Sequence, residues 1–177
     1  SNTFTGVVAG TSTTTGNYNS GFGRGSLQNN TTGSYNTAVG YTAGNSLTTG
    51  AGNTFVGCTN LSVGAGYFVT TGSNNTIIGG YHGNQNGLDI RTTSNKIVLS
   101  DGGGFPRAHF DGGETWSFSC GTTSAITEDR VSIDRTALYT YPDAGTTLGY
   151  AAYRWGQIYS SVGSISTSDA RDKTPIA

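Results

Sequence analysis

Apolar residues in the first half of the chain come in short pairs, Ala38-Val39, Phe55-Val56 and Ile77-Ile78, set in stretches of Thr, Ser, Asn and Gly. The pairs belong to a longer repeat. Asn stands at 2, 19, 36 and 53, a strict 17-residue period, followed each time by Thr or Ser. Gly follows four places later, at Gly6, Gly23, Gly40 and Gly57, and Thr-Thr-Gly closes the units at 14–16, 31–33 and 48–50. The next unit is five residues longer, with Thr-Thr-Gly at 70–72 and Asn-Thr at Asn75 and Thr76. Its extra length is read into "SVGAGYFVTTG". "TTSNKIVLS" at 92–100 reads as a last, degenerate copy.

A 17-residue unit has room for two strands of about four or five residues and two turns, and none for a helix. Each unit is therefore expected to be one coil of a stacked parallel β-structure. The apolar pair supplies the strand, and the Gly at fixed offset supplies a corner at positive φ. Asn at one place in every coil forms a hydrogen-bonded ladder with the Asn above. At a spacing of about 4.8 Å per coil, five coils make a rod roughly 24 Å tall. Two or three apolar side chains per coil are too few to exclude water alone, so stacking and association with other copies are both expected.

The period stops at 96. Segments such as "NKIVLS", "RAHF" and "DGGETWSFS" alternate with glycine turns, and Asp-Gly and Gly-Gly between apolar runs predict hairpins. "DRVSIDRTALYTYPD" adds a strand with Val131 and Ile133 on one face. The chain divides into a repeat region at 1–95, a strand-rich module at 96–145, a further module at 146–167 and a terminal piece at 168–177.

Composition adds to this picture. The 177 residues include 29 Gly, about twice the usual share, while Leu, Ile, Val and Phe number only 32. Disorder with so few apolar residues needs high net charge, and the net charge here is -1. Ten Tyr, seven Phe and two Trp fit a thin core built from strands. Nine Lys plus Arg against ten Asp plus Glu leave no basic field for nucleic acid or an anionic membrane. No apolar run approaches the roughly 18 residues of a membrane span. The lack of any Met reads as a fragment of a longer protein. Cys58 and Cys120 share no metal-ligand or CxxC spacing and are expected to be buried free thiols.

Candidate chemistry is sparse. His82 and His109 have no second ligand at suitable spacing, so no metal is expected. Asp89, Asp101, Asp111 and Glu114 are too scattered to nominate a hydrolytic pair. "DGGG" and "GFGRG" lack the following helix that phosphate cradling needs and read as turns. The lengthened coil stands apart, because recognition commonly resides on loops carried by rigid scaffolds. Tyr67 and Phe68, with Tyr81 and His82 of the coil above, are the candidate ligand-binding residues, presenting aromatic faces to a sugar. The alternative is a loop packed on a neighbouring chain.

Asn-Thr-Ala-Val-Gly at 36–40, with its relatives at 53–57 and 75–79, resembles the head repeats of trimeric bacterial adhesins and similar repeats of phage tail fibres. That resemblance implies β-roll coils in a homotrimer. Residues 146–177 carry Leu148-Gly149, Arg154-Trp155, Ile158-Tyr159, Gly163, Ile165 and Ser168-Asp169-Ala170-Arg171-Asp172-Lys173. They resemble the junction in phage tail fibres and tailspikes with a self-cleaving intramolecular chaperone, the endosialidase type. By this resemblance Ser168 and Lys173 form the dyad that releases the chaperone, and 168–177 is the chaperone's start. Arg154-Trp155 is read either as trimer packing or as a sugar-stacking pair.

The combined expectation is an all-β homotrimeric fibre, a stacked parallel β-roll or β-helix followed by β-hairpin or prism modules. Its function is adhesion of a virion tail fibre to a host cell-surface receptor, a glycan or a protein, with no cofactor and no enzymatic activity beyond self-cleavage. The alternatives are a purely structural stalk and a bacterial trimeric autotransporter head.

Overall fold

A computed structural model of the chain describes residues 1–59, 63–119, 130–133, 135 and 138–141. The described residues are all β and turn. Strands β1 (Thr3–Thr5), β2 (Ser20–Phe22), β3 (Thr37–Val39), β4 (Thr54–Val56), β5 (Thr76–Ile78) and β8 (Ile97–Ser100) stack in parallel, each pairing with the next. They form a β-solenoid of about six turns. The degenerate copy at 92–100 is the sixth, and the apolar pairs lie in the strands as the repeat implies.

Each coil holds one strand of three or four residues instead of two of four or five. The other walls follow turn-like backbone tied to the adjacent coil by hydrogen bonds such as Leu27 N to Ala43 O, 3.0 Å, and Asn29 N to Asn45 O, 3.1 Å. Backbone groups are thus satisfied between coils even where no ladder is continuous. Side chains alternate in the strands. The middle residue points inward, so Ala38, Phe55, Ile77 and Val98 are fully buried while Val39, Ile78 and Leu99 face out. Gly21 holds the same core position in β2, so "GFGRG" is half strand and not simply a turn. The space beside Gly21 is filled by the Phe4 ring of the coil below. Leu27, Leu47, Val69, Tyr81 and Ile90 close the interior from the other walls.

Two polar devices fix the coil. Asn19, Asn36, Asn53 and Asn75 are buried, and each Oδ1 accepts the backbone N–H of its counterpart one coil on, at 2.9 to 3.0 Å. The Nδ2 of Asn19, Asn36 and Asn53 donates across its own coil to the carbonyl that ends the Thr-Thr-Gly, as from Asn36 to Gly50 O at 2.9 Å and Asn53 to Gly72 O at 2.9 Å, and that of Asn75 donates to Thr93 O at 2.8 Å. One amide therefore ties two levels together and the two ends of one level. In the sixth coil Lys96 takes the Asn position, its N–H on Asn75 Oδ1, and the ladder ends there. Thr14, Thr31, Thr48 and Thr70 add a hydroxyl bond each to the carbonyl at the equivalent place above.

The Gly at fixed offset does turn the corner: Gly40 has φ +135°, and a Cβ there would lie 2.6 Å from Gly57 O.

At β8 the pairing changes from parallel to antiparallel within one continuous sheet. β9 (Pro106–Phe110), β10 (Trp116–Ser119), β11 (Arg130–Ile133) and β12 (Leu138–Tyr141) follow as a meander, completing a ten-stranded sheet. The loops at 101–105 and 111–115 are the predicted turns. In each an Asp oxygen accepts the backbone N–H groups two and four residues on, Gly103 and Phe105 for Asp101, Gly113 and Thr115 for Asp111. Val131 and Ile133 share the outer face of β11, with Ser132 buried between them. A small separate hairpin, β6 (Asn84–Gln85) and β7 (Leu88–Asp89), turns at Asn86-Gly87, both at positive φ. Cys58 is exposed, contrary to the expectation of burial, and lies just past the corner at Gly57, where it bridges Gly64. Cys120, Arg154, Trp155, Ser168, Lys173 and the segments at 146–167 and 168–177 lie outside the described residues.

Asn53→Ala orphans the Asn75 N–H, Gly72 O and one bond of Asn36, all buried. At about 1 to 3 kcal/mol per unsatisfied buried group, a loss of roughly 3 kcal/mol or more is expected in denaturant unfolding. Gly40→Ala is expected to destabilise strongly, through both its φ and its clash, whereas Gly102→Ala, with open space at the Cβ position, leaves the midpoint within about 0.5 kcal/mol of the parent.

Candidate functional site: an aromatic patch at the interrupted coils

Hydrogen bonds between coils locate the five extra residues of the fourth unit. Val56 pairs with Val39, an offset of 17, whereas Gly44 N bonds Ala65 O and Ser46 N bonds Tyr67 O, 21 residues on where the coil below has 16 (Leu27 N to Ala43 O), and Thr48 N bonds Thr70 O, 22 on where the coil below has 17 (Thr31 N to Thr48 O). The extra residues therefore lie between Gly57 and Ala65. There the chain makes an excursion closed by a Cys58–Gly64 bridge and by Thr59 N to Val63 O at 2.9 Å, its tip outside the described residues. Tyr67 and Phe68 are thus not in the inserted loop, as the sequence reading had them, but on the regular wall of the coil. Backbone register decides this, and it counts back from the Thr-Thr-Gly.

The four aromatic candidates do come together. Phe68 meets Tyr67 edge to face at 4.9 Å and 87°, and His82 edge to face at 5.1 Å and 88°. His82 lies parallel to Tyr81 at 6.2 Å and 10°. Phe68 N donates to His82 O at 2.8 Å, which fixes the two levels against each other. Exposure separates their roles. Phe68 is exposed and Tyr67 and His82 are half-buried, but Tyr81 is fully buried. Its ring fills the core beneath the β6–β7 hairpin, and its hydroxyl donates to Leu88 O at 2.6 Å. Burial, with a smaller contribution from Asp89, pushes the Tyr81 phenol well above its ordinary range, so it stays protonated. Tyr81 supports the patch and does not present a face to a ligand.

His82 is pulled below its ordinary pKa by burial, so the imidazole is neutral at neutral pH and accepts or donates without carrying charge. Beside the patch the exposed Arg91 forks onto Asp89, with Nη2 to Oδ2 at 2.7 Å and Nε to Oδ1 at 3.0 Å. That side-chain bond is the largest cause of Asp89 lying below the usual carboxylate range. The patch thus joins apolar ring faces to a neutral imidazole and a fixed ion pair, a combination suited to binding a polar ring, with no free carboxylate among its described residues.

The scattered carboxylates remain scattered. Asp101 is held by Arg107, with Nε to Oδ2 at 3.0 Å, Asp111 by its own loop, and Glu114 faces Arg135 at 3.4 Å. For Asp101 and Asp111 burial raises the carboxyl, but hydrogen bonds from Arg107 and loop backbone, and from the Gly113 and Thr115 backbone, outweigh it and leave both lowered. Among the described residues no group of three or more His, Cys, Asp or Glu is placed to hold a metal.

Sequence reasoning missed two features. The β6–β7 hairpin, which roofs Tyr81, was announced by Asn86-Gly87, the commonest two-residue hairpin turn. Tyr18 and Tyr35, each just before a ladder Asn, stack at 5.0 Å and 15° while largely exposed, at φ 59° and 61°. Their 17-residue separation was the available signal. Comparison with protein-family models, characterised proteins and solved structures finds no match for this chain.

Proposed function

We propose that this chain is the distal part of a bacteriophage tail fibre, a homotrimer that adheres to a host cell-surface glycan. The observation that carries the reading is the Tyr67–Phe68–His82 patch, set where the otherwise regular rod is interrupted by both the excursion after Gly57 and the β6–β7 hairpin. A rod with inter-coil ladders has little freedom to lose, so ring faces held on it bind without an ordering penalty. A sugar offers apolar C–H faces to Phe68 and hydroxyls to His82, Asn84 and the Asp89–Arg91 pair. No enzymatic activity on that glycan is assigned, since every described carboxylate named above is engaged by a cation or by its own loop. A purely structural stalk is the second reading, favoured by the unbroken 17-residue register from β1 to β4.

Maturation by self-cleavage belongs to the same proposal and rests on the resemblance of residues 146–177. Ser168 would be the nucleophile and Lys173 its base. Five residues apart, the two groups need an imposed bend or a neighbouring chain to meet, and Lys173 needs desolvation to be neutral.

The double substitution Tyr67→Ala and Phe68→Ala is expected to abolish binding on a glycan array or to host cells, with far-UV circular dichroism unchanged. Undiminished binding would move the site elsewhere and leave the stalk reading for this stretch. In a chain extended by its natural C-terminal segment, mass spectrometry of the denatured polypeptide should show cleavage at Ser168-Asp169. Ser168→Ala and Lys173→Ala should each leave the chain whole; cleavage in either would refute the dyad.

A further inference from the structure

The outer face of the ten-stranded sheet is apolar along a single register column. Phe22, Val39, Val56, Ile78 and Leu99 are direct neighbours from coil to coil, and the column continues through Ala108 and Phe118 of the meander. Phe22, Val39, Ile78, Leu99 and Phe118 are each about 40% exposed or more, between 39% and 48%. The adjoining outward column is Thr or Ser in the first five strands and then Ile97, Phe110 and Trp116, with Ile133 beyond at 45% exposure. Neither column carries a charged side chain. Inward positions of the same strands are buried, so this row is a surplus of apolar side chains and not part of the core.

We infer that this column is the contact surface between copies of the chain, which pack in parallel around an axis running along it. The inference rests on the homotrimer proposed above and names its interface. Three observations select a second copy as occupant. The column is uncharged from end to end, so it offers no complement to a charged partner and is complementary to itself. Its side chains recur once per coil, at the strand spacing of about 4.8 Å. Only a partner with the same rise meets it level for level along the whole rod, and an identical chain has that rise. Ten strands at that spacing span roughly 43 Å, and with two side-chain columns about 15 Å wide the face covers on the order of 650 Å² per chain, shared between the two neighbours that each chain meets in a trimer.

The test uses sedimentation equilibrium and cysteine crosslinking at micromolar concentration. The parent chain should sediment as a trimer, and Ile78→Asp should weaken association at least tenfold, shifting mass toward a single chain while strand circular dichroism persists. In a Cys58→Ser, Cys120→Ser background, Ile78→Cys and Leu99→Cys should each give two-chain bands on oxidation, whereas Thr11→Cys, exposed on another wall, should not. The crosslinking arm decides the matter if Ile78→Asp fails to fold. A parent chain that is monomeric overturns both the trimer and this interface. A trimer whose mass Ile78→Asp leaves unchanged, or that crosslinks at Thr11→Cys and not at Ile78→Cys, overturns the interface alone.

Discussion

The buried side-chain amide of one asparagine per coil is the constraint on which the rest depends. Its oxygen fixes the rise by accepting the next coil's N–H, and its nitrogen closes the coil on the Thr-Thr-Gly carbonyl. A coil of 17 residues with a three-residue strand has no continuous ladder to hold its ends together. The amide supplies the missing bond from inside, where it is shielded from water and where an unpaired group would be costly. Because both atoms of each amide are used, the register cannot slip by one residue without orphaning several buried groups at once.

From that fixed register the other features follow. Glycine at the corner is required because the carbonyl of the next corner sits where a Cβ would be. The interior column can then vary in size, from Gly21 through Ala38 to Phe55 and Ile77, as each residue fills space its neighbours leave. The outward column varies less in character, remaining apolar from Phe22 to Leu99 and beyond. A repeat thin enough to bury one strand residue per level leaves the alternate residue outside, which is why the apolar pairs of β3, β4, β5 and β8 yield both a narrow core and an apolar outer face.

The aromatic patch depends on the two places where the repeat is broken. The five extra residues lie between Gly57 and Ala65, in a stretch closed by the Cys58–Gly64 bridge, and the chain then resumes register so that Tyr67 and Phe68 sit on the wall. One level up, the β6–β7 hairpin covers Tyr81 and carries Asp89 beside Arg91. Interruption of a stacked structure thus places Phe68 and His82 together at the surface while Tyr81, adjacent in sequence to His82, goes inside.

The sequence alone determined the coil, because a 17-residue period, glycine at a fixed offset and a repeating Asn each express a local need: a corner, a close approach, a bond to the level above. It also determined the strand positions of the apolar pairs and the two Asp-Gly turns of the meander. It did not determine which side chains face out. Tyr67, Phe68, Tyr81 and His82 were legible as one aromatic group, yet only hydrogen-bond register between coils decided where the insertion lies. Only the packing of the hairpin decided that Tyr81 is core. The outer apolar column was equally hidden, since residues 17 and 22 apart become neighbours through stacking, and exposure belongs to the assembled sheet and not to any single unit of the repeat.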